Sequence, residues 1–244
     1  MLALFRKEIS SFFSALTGYV VIGIFLLANS LFIWVFPGGL NVLDSGYASL
    51  DTLFFIAPWV FLFLIPAITM RMFSEESRTG TIELLFTKPL SDIEVILAKY
   101  LAGLVLVISS LLPTLIYFIS VYILGSPVGN IDVGGFWGSF IGLFFLAGIY
   151  VAIGIFTSSF TDNQIIAFLF AILLSFILFT GFDSISSLPL FESINQFVVT
   201  IGINEHYKSM SRGVIDSRDI VYFIGIITIF LFSTKLILQS RKWS

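Results

Sequence analysis

Residues 71–99, RMFSEESRTGTIELLFTKPLSDIEVILAK, hold nine charged side chains in a chain of 244 residues whose overall charged fraction is 11%. On both sides the sequence turns apolar, with PWVFLFLIPAITM at 58–70 and YLAGLVLVISSLLPTLIYFISVYIL at 100–124. Within the charged stretch the punctuation is dense. Ser74 reads as an N-cap with Glu75 and Glu76 in the first helical turn, where the helix dipole favours acids. Gly80 ends that turn in a left-handed conformation. Thr81 caps a short piece, IELLF, in which Ile82, Leu84, Leu85 and Phe86 lie beside Glu83. Pro89 then biases Lys88 away from helix. Ser91 and Glu94 stand three apart as a capping box, which starts a long helix at about Asp92. The pattern is helix, turn, short helix, turn, helix. It suits either a solvated hairpin between two apolar segments or a surface on which another protein docks.

Outward from this stretch the chain is 58% hydrophobic, with a mean hydropathy of +1.06. Soluble domains are about 25% charged, so the composition is that of an integral membrane protein. About 20 apolar residues cross a hydrocarbon core. Six runs meet that length, near 17–36, 52–70, 96–124, 134–157, 163–182 and 219–238. The fold class is an all-α membrane protein of six transmembrane helices, one domain over 1–244, with a charged hairpin at 71–95. Before the first span, residues 2–16 place Leu2, Phe5, Ile9, Phe12, Phe13 and Leu16 on one face, opposite Arg6, Lys7, Ser10 and Ser14. That spacing reads as an amphipathic helix in the membrane interface or as a charged flank to the first span.

Six spans put both termini on one side. With the termini cytoplasmic, Arg6, Lys7, Arg71, Arg78, Lys88, Lys99, Lys235, Arg241 and Lys242 lie inside, and Lys208, Arg212 and Arg218 outside. The positive-inside rule selects this orientation. The outward loops are then 37–51, 125–133 and 183–218. In the last, the apolar run Phe197–Ile203 reads as a re-entrant element or as a docking surface for a partner. Pro58, Pro66 and Pro113 fall inside spans, where each removes a backbone hydrogen bond. Gly134, Gly138 and Gly142, four apart, make a small-residue strip for close packing within this chain or against a second subunit.

Several chemistries are missing. The span interiors carry no ionisable residue, with Asp51, Lys99, Asp219 and Lys235 placed at ends within reach of water, which disfavours ion-driven transport. No zinc-protease, nucleophile-elbow or P-loop motif occurs. The chain has no cysteine and a net charge of −3, so thiolate chemistry is excluded and nucleic acid is not a partner. The single histidine, His206, sits beside Glu205 and reads as a solvated loop residue, so no metal site is expected. A chain without a P-loop takes its energy from elsewhere.

Residues 71–103 resemble the signature of ABC-2 type membrane permeases, in which paired glutamates, a Gly-Thr, another glutamate and a Pro-Leu-Ser recur at this spacing. Glu75, Glu76, Gly80, Thr81, Glu83, Pro89 and Ser91 fall on that pattern. GIFTSSFTDNQIIAF (154–168) is similar to the family's second cytoplasmic turn, and the chain most resembles the gliding-motility-associated members. The resemblance implies a non-catalytic permease subunit in a bacterial inner membrane. Its implied partners are the lipid bilayer, a separate ABC ATPase subunit that holds ATP and Mg, and a second permease subunit, identical or different. It binds no cofactor itself. The implied ATPase-coupling residues are Glu75, Glu76, Arg78, Gly80, Thr81, Glu83, Leu84 and Pro89, and those of the second turn are Ser158, Ser159, Asp162 and Asn163. A membrane anchor without a transported substrate and an exporter of another ABC-2 subgroup remain as alternatives.

Overall fold

The computed structural model describes residues 1–86, 90–187 and 195–241. Among these there is no strand, and six helices are long and apolar enough to cross a membrane. The chain opens with α1 (Leu2–Ser14) and continues into α2 (Leu16–Val35). After a single turn at Val42–Ser45 come α3 (Asp51–Thr69), α4 (Arg71–Arg78) and α5 (Thr81–Phe86). Then follow α6 (Asp92–Leu124), α7 (Val133–Phe160) and α8 (Gln164–Ser186). Two short helices, α9 (Asn195–Ile201) and α10 (Ile203–Met210), precede the last, α11 (Ser217–Arg241). The face that carries α1, α4 and α5 is called here the near face, and the face that carries α9 and α10 the far face.

The bundle is built around α7. Of its most apolar stretch 72% is buried inside the chain, against 11% for α11, which leaves most of α11 on the outside of the bundle. Small residues bring its neighbours close. A Cβ on Gly154 would stand 1.9 Å from Thr69 Oγ1 of α3, and one on Gly103 of α6 would stand 2.7 Å from Val151 Cγ1 of α7. The strip Gly134, Gly138 and Gly142 meets residues of this same chain. A Cβ on Gly138 would fall 2.2 Å from the Met210 carbonyl oxygen, Gly142 faces Tyr207 and Met210, and Gly213 rests on the Gly134 backbone. The far-face element α10 is therefore seated in the bundle, with Ile203, Tyr207 and Met210 buried. The Tyr207 hydroxyl donates to the Phe54 carbonyl of α3 at 2.8 Å.

Several readings of the sequence are corrected. The second span does not stop at residue 70, because α4 continues α3 with a break only at Met70. Ser74 is consequently not an N-cap; it lies inside α4, and its hydroxyl donates to the Met70 carbonyl. Helix α1 ends at Ser14, and Ala15 is extended. Its buried face is Leu4, Glu8 and Phe12, while Leu2 and Leu16 are exposed. A carboxylate thus sits on the stripe that α1 packs against α6. Lys99 is not within reach of water but fully buried, and Asp219 is buried as well. Nor is His206 solvated, since its ring is held between Asp219, Thr200 and Tyr222. Of the three prolines, Pro58 and Pro66 lie within an unbroken α3, whereas Pro113 falls in a tight 3-10 turn, Leu112–Thr114, within α6. Thr87, Lys88 and Pro89 lie outside the described residues, as do the side chain of Leu84 and residue Lys242.

Candidate coupling site

The near-face site begins at the break between α3 and α4. The first amides of a helix have no intrahelical partner, and in α4 two of them are satisfied from another helix. The Ser158 hydroxyl of α7 accepts from Phe73 N at 2.9 Å and Ser74 N at 3.0 Å, and donates to the Met70 carbonyl at 2.9 Å. A hydroxyl at the end of α7 thus caps a helix 84 residues away in sequence. Ser159, also buried, donates to the Phe156 carbonyl. Asp162 accepts from the Ser77 hydroxyl of α4, and Asn163 caps α8 by accepting from Ile165 N. The second near-face turn is therefore bonded to α4 at two places.

On its other side α4 is tied by charge. The Lys99 ammonium of α6 lies 2.9 Å from Glu76 Oε1 of α4, 3.0 Å from Glu8 Oε1 of α1 and 2.7 Å from the Met72 carbonyl. These three acceptors match the three donors of an ammonium. The Phe73 ring lies beneath it at 5.0 Å. A fourth group, Lys7, sits 3.4 Å from Glu8 and 3.3 Å from Glu76, so two cations and two anions balance. Partial burial alone would lower the Lys7 ammonium, but the Glu8 and Glu76 carboxylates outweigh it and hold Lys7 above the usual lysine value. A lone charge at this depth is costly, and pairing offsets that cost, although Glu76 Oε2 is buried without a hydrogen-bond partner among the described residues. Between α1, α4 and α6 a polar pocket of about 330 Å³ opens beside this quartet. Arg71 completes the attachment by donating to Thr17 Oγ1 at 2.9 Å.

The remaining residues of the segment point outward. Glu75, Arg78, Gly80, Thr81 and Glu83 are exposed, whereas Glu76 turns inward to Lys99. Gly80 has φ +71, the left-handed conformation that glycine adopts without cost and that lets the chain leave α4 for α5. The Thr79 and Thr81 hydroxyls, 2.9 Å apart, and the Thr79 hydroxyl on the Glu75 carbonyl fix this corner. The Ser91–Glu94 capping box is formed and starts α6 at Asp92. The paired glutamates therefore differ in kind: Glu75 belongs to a surface and Glu76 to the interior. Sequence reasoning missed Glu8 and Lys99. The available signal was periodicity, because Glu8 sits midway between Leu4 and Phe12 and Lys99 one turn before Gly103, each a charge on an apolar stripe.

The profile of the ABC-2 family transporter protein family matches residues 41–203, well over half the chain, and the chain belongs to that family. It is a multi-pass membrane permease component of an ABC transporter. No curated protein matches it. The matched region contains α4, α5, Lys99 and Ser158.

Proposed function

We propose that this chain is the permease subunit through which a separate ATPase subunit, holding ATP and Mg, drives transport across a bacterial inner membrane. Both termini face the cytoplasm in this reading, supported by the excess of Lys and Arg on the near-face segments. Glu75, Arg78, Thr81 and Glu83 form the docking strip, with Gly80 turning the chain into it; Leu84 and Pro89 are included on the resemblance alone. Glu76 is a positioning residue. The observation that carries the reading is the Lys99 ammonium, which fastens Glu76 of α4 to Glu8 of α1. A push on the exposed strip then moves α3, α1 and α6 together instead of bending a loop. Packed elements with few alternative arrangements transmit displacement in this way.

A second permease subunit, identical or different, completes the membrane unit. The resemblance of the chain to the gliding-motility-associated members supports a place in such a complex.

Affinity purification of the chain from its native membrane tests this. An ATPase subunit and ATP hydrolysis should co-purify with it. Recovery of folded protein without any nucleotide-binding partner overturns the proposal. A complex that hydrolyses ATP yet moves none of a panel of lipids, glycans and peptides points to the anchor reading, and recovery with gliding-machinery components supports the subgroup.

A further inference from the structure

At the far face α10 is held on two sides. Tyr207 bonds to α3 as described, and on the opposite side His206 bonds to α11. His206 Nδ1 lies 2.7 Å from Asp219 Oδ1, and Nε2 lies 2.9 Å from the Thr200 carbonyl oxygen. The ring stacks on Tyr222 with centroids 3.7 Å apart, and the Tyr222 hydroxyl donates to the Ile201 carbonyl. Asp219 is 5% exposed, and its Oδ2 is buried with no hydrogen-bond partner among the described residues.

The partners decide the proton count. A carbonyl oxygen only accepts, so Nε2 carries a hydrogen. The short Nδ1 to carboxylate contact then needs a second proton, on the ring or on Asp219. With that proton in place, on either group, the pair holds one more than a neutral imidazole and an ionised carboxylate. Without it, a nitrogen lone pair faces an oxygen lone pair, and the Asp219 charge stays buried with no counter-charge. Among the described residues no charged side chain other than His206 pairs with Asp219. Asp183 of α8 accepts from Asn204 and pairs with Lys208, Glu205 pairs with Arg212, and Asp216 accepts from the Arg218 amide. Helices α7 and α9 contain no charged residue.

We propose that His206 and Asp219 form a proton-held latch that keeps α9 and α10 seated on the far face, and that losing this proton to solvent releases them. What the latch governs is the pocket of about 460 Å³ between α3, α8 and α10, walled by Phe55, Trp59, Phe179, Asn204, Tyr207 and Lys208. The latch is independent of the direction in which the chain is inserted and of the ATPase reading.

The chain has no cysteine, so a single Met210→Cys substitution reports the seat, since Met210 is fully buried against α7. Val214→Cys, at a residue 70% exposed, gives the reference rate in a second protein. The ratio of their thiol-labelling rates in detergent cancels the ionisation common to both thiols. Between about pH 5.5 and about pH 8 the ratio should rise. The rise should be about tenfold, the size of one lost charge-assisted hydrogen bond. Asp219→Asn should keep the ratio low at both values, because a carboxamide donates to Nδ1 of a neutral ring while Nε2 still donates to Thr200. His206→Ala should give a high ratio at both. A ratio independent of pH in the otherwise unsubstituted chain, or an unchanged rise in Asp219→Asn, overturns the latch.

Discussion

Lys99 Nζ and Glu76 Oε1 lie 2.9 Å apart, joining two helices, α6 and α4, through residues 23 apart in sequence. The same glutamate oxygen also meets Lys7 of α1. One carboxylate therefore holds together three elements of the near face. It does so beside a helix break that Ser158 caps from α7, and the two attachments share α4. The charged segment is anchored at its base and exposed at its tip.

Replacing Lys99 with Met should leave the Glu8 and Glu76 carboxylates facing each other with only the largely exposed Lys7 ammonium to balance them. Breaking a buried pair from one side costs about 3–5 kcal/mol, and thermal unfolding in detergent should show a large drop in midpoint. Adding Glu8→Gln and Glu76→Gln to Lys99→Met should restore much of the loss. Lys7→Ala, at a side chain 60% exposed, should cost about 1 kcal/mol at most. Equal effects at the two lysines would contradict the assignment of Lys99 as the central cation.

Ser158→Ala removes the acceptor shared by the Phe73 and Ser74 amides. An unsatisfied buried donor costs about 1–3 kcal/mol. The expected result is a lower unfolding midpoint together with faster hydrogen exchange at residues 72–75. The neighbouring Ser159→Ala, which loses only a bond to its own helix, should leave that exchange unchanged.

The parts of this architecture that were legible are those governed by short-range rules. The Ser91–Glu94 box is an i, i+3 motif, Gly80 marks a left-handed residue, and the apolar runs follow from bilayer thickness. The hairpin was read with the right first turn, at Gly80, but the wrong origin. Ser74 looks like a cap only if the second span ends at Met70, and nothing local reveals that α4 continues the helix and is capped by Ser158. Likewise Lys99, His206 and Asp219 were assigned to water because charge near a span end ordinarily reaches it. Their partners lie 91, 23 and 13 residues away, and no periodicity within one helix encodes such pairings. The glycine strip was readable as a close-packing surface, but not that α10 of the same chain fills it.

Gly138→Ala should unseat α10. Its added Cβ would meet the Met210 carbonyl oxygen at 2.2 Å, a backbone atom that cannot rotate away. Overpacking of this kind costs about 1–3 kcal/mol. Gly225→Ala in α11 has nothing within 4 Å and should be neutral or slightly stabilising, since alanine is the better helix former by about 1 kcal/mol. Thermal midpoints of the two variants, compared in the same detergent, check this pair.

The division between the paired glutamates yields the sharpest functional contrast. Glu75 and Glu83 are exposed, and among the described residues neither side chain makes an ion pair, so Glu75→Lys with Glu83→Lys should leave the unfolding midpoint unchanged. In the assembled complex the same change reverses the charge of the strip offered to the ATPase subunit. It should weaken co-purification and lower permease-stimulated ATP hydrolysis by about tenfold, as like charges brought together at an interface cost affinity. Glu76→Gln should do the reverse in order. It should lower the midpoint first, because Lys99 loses its closest carboxylate, and affect hydrolysis only through the loosened base of α4. If the double reversal left both assembly and hydrolysis intact, the docking strip would have to be sought elsewhere on the near face, and Glu76 would retain only its place in the buried quartet.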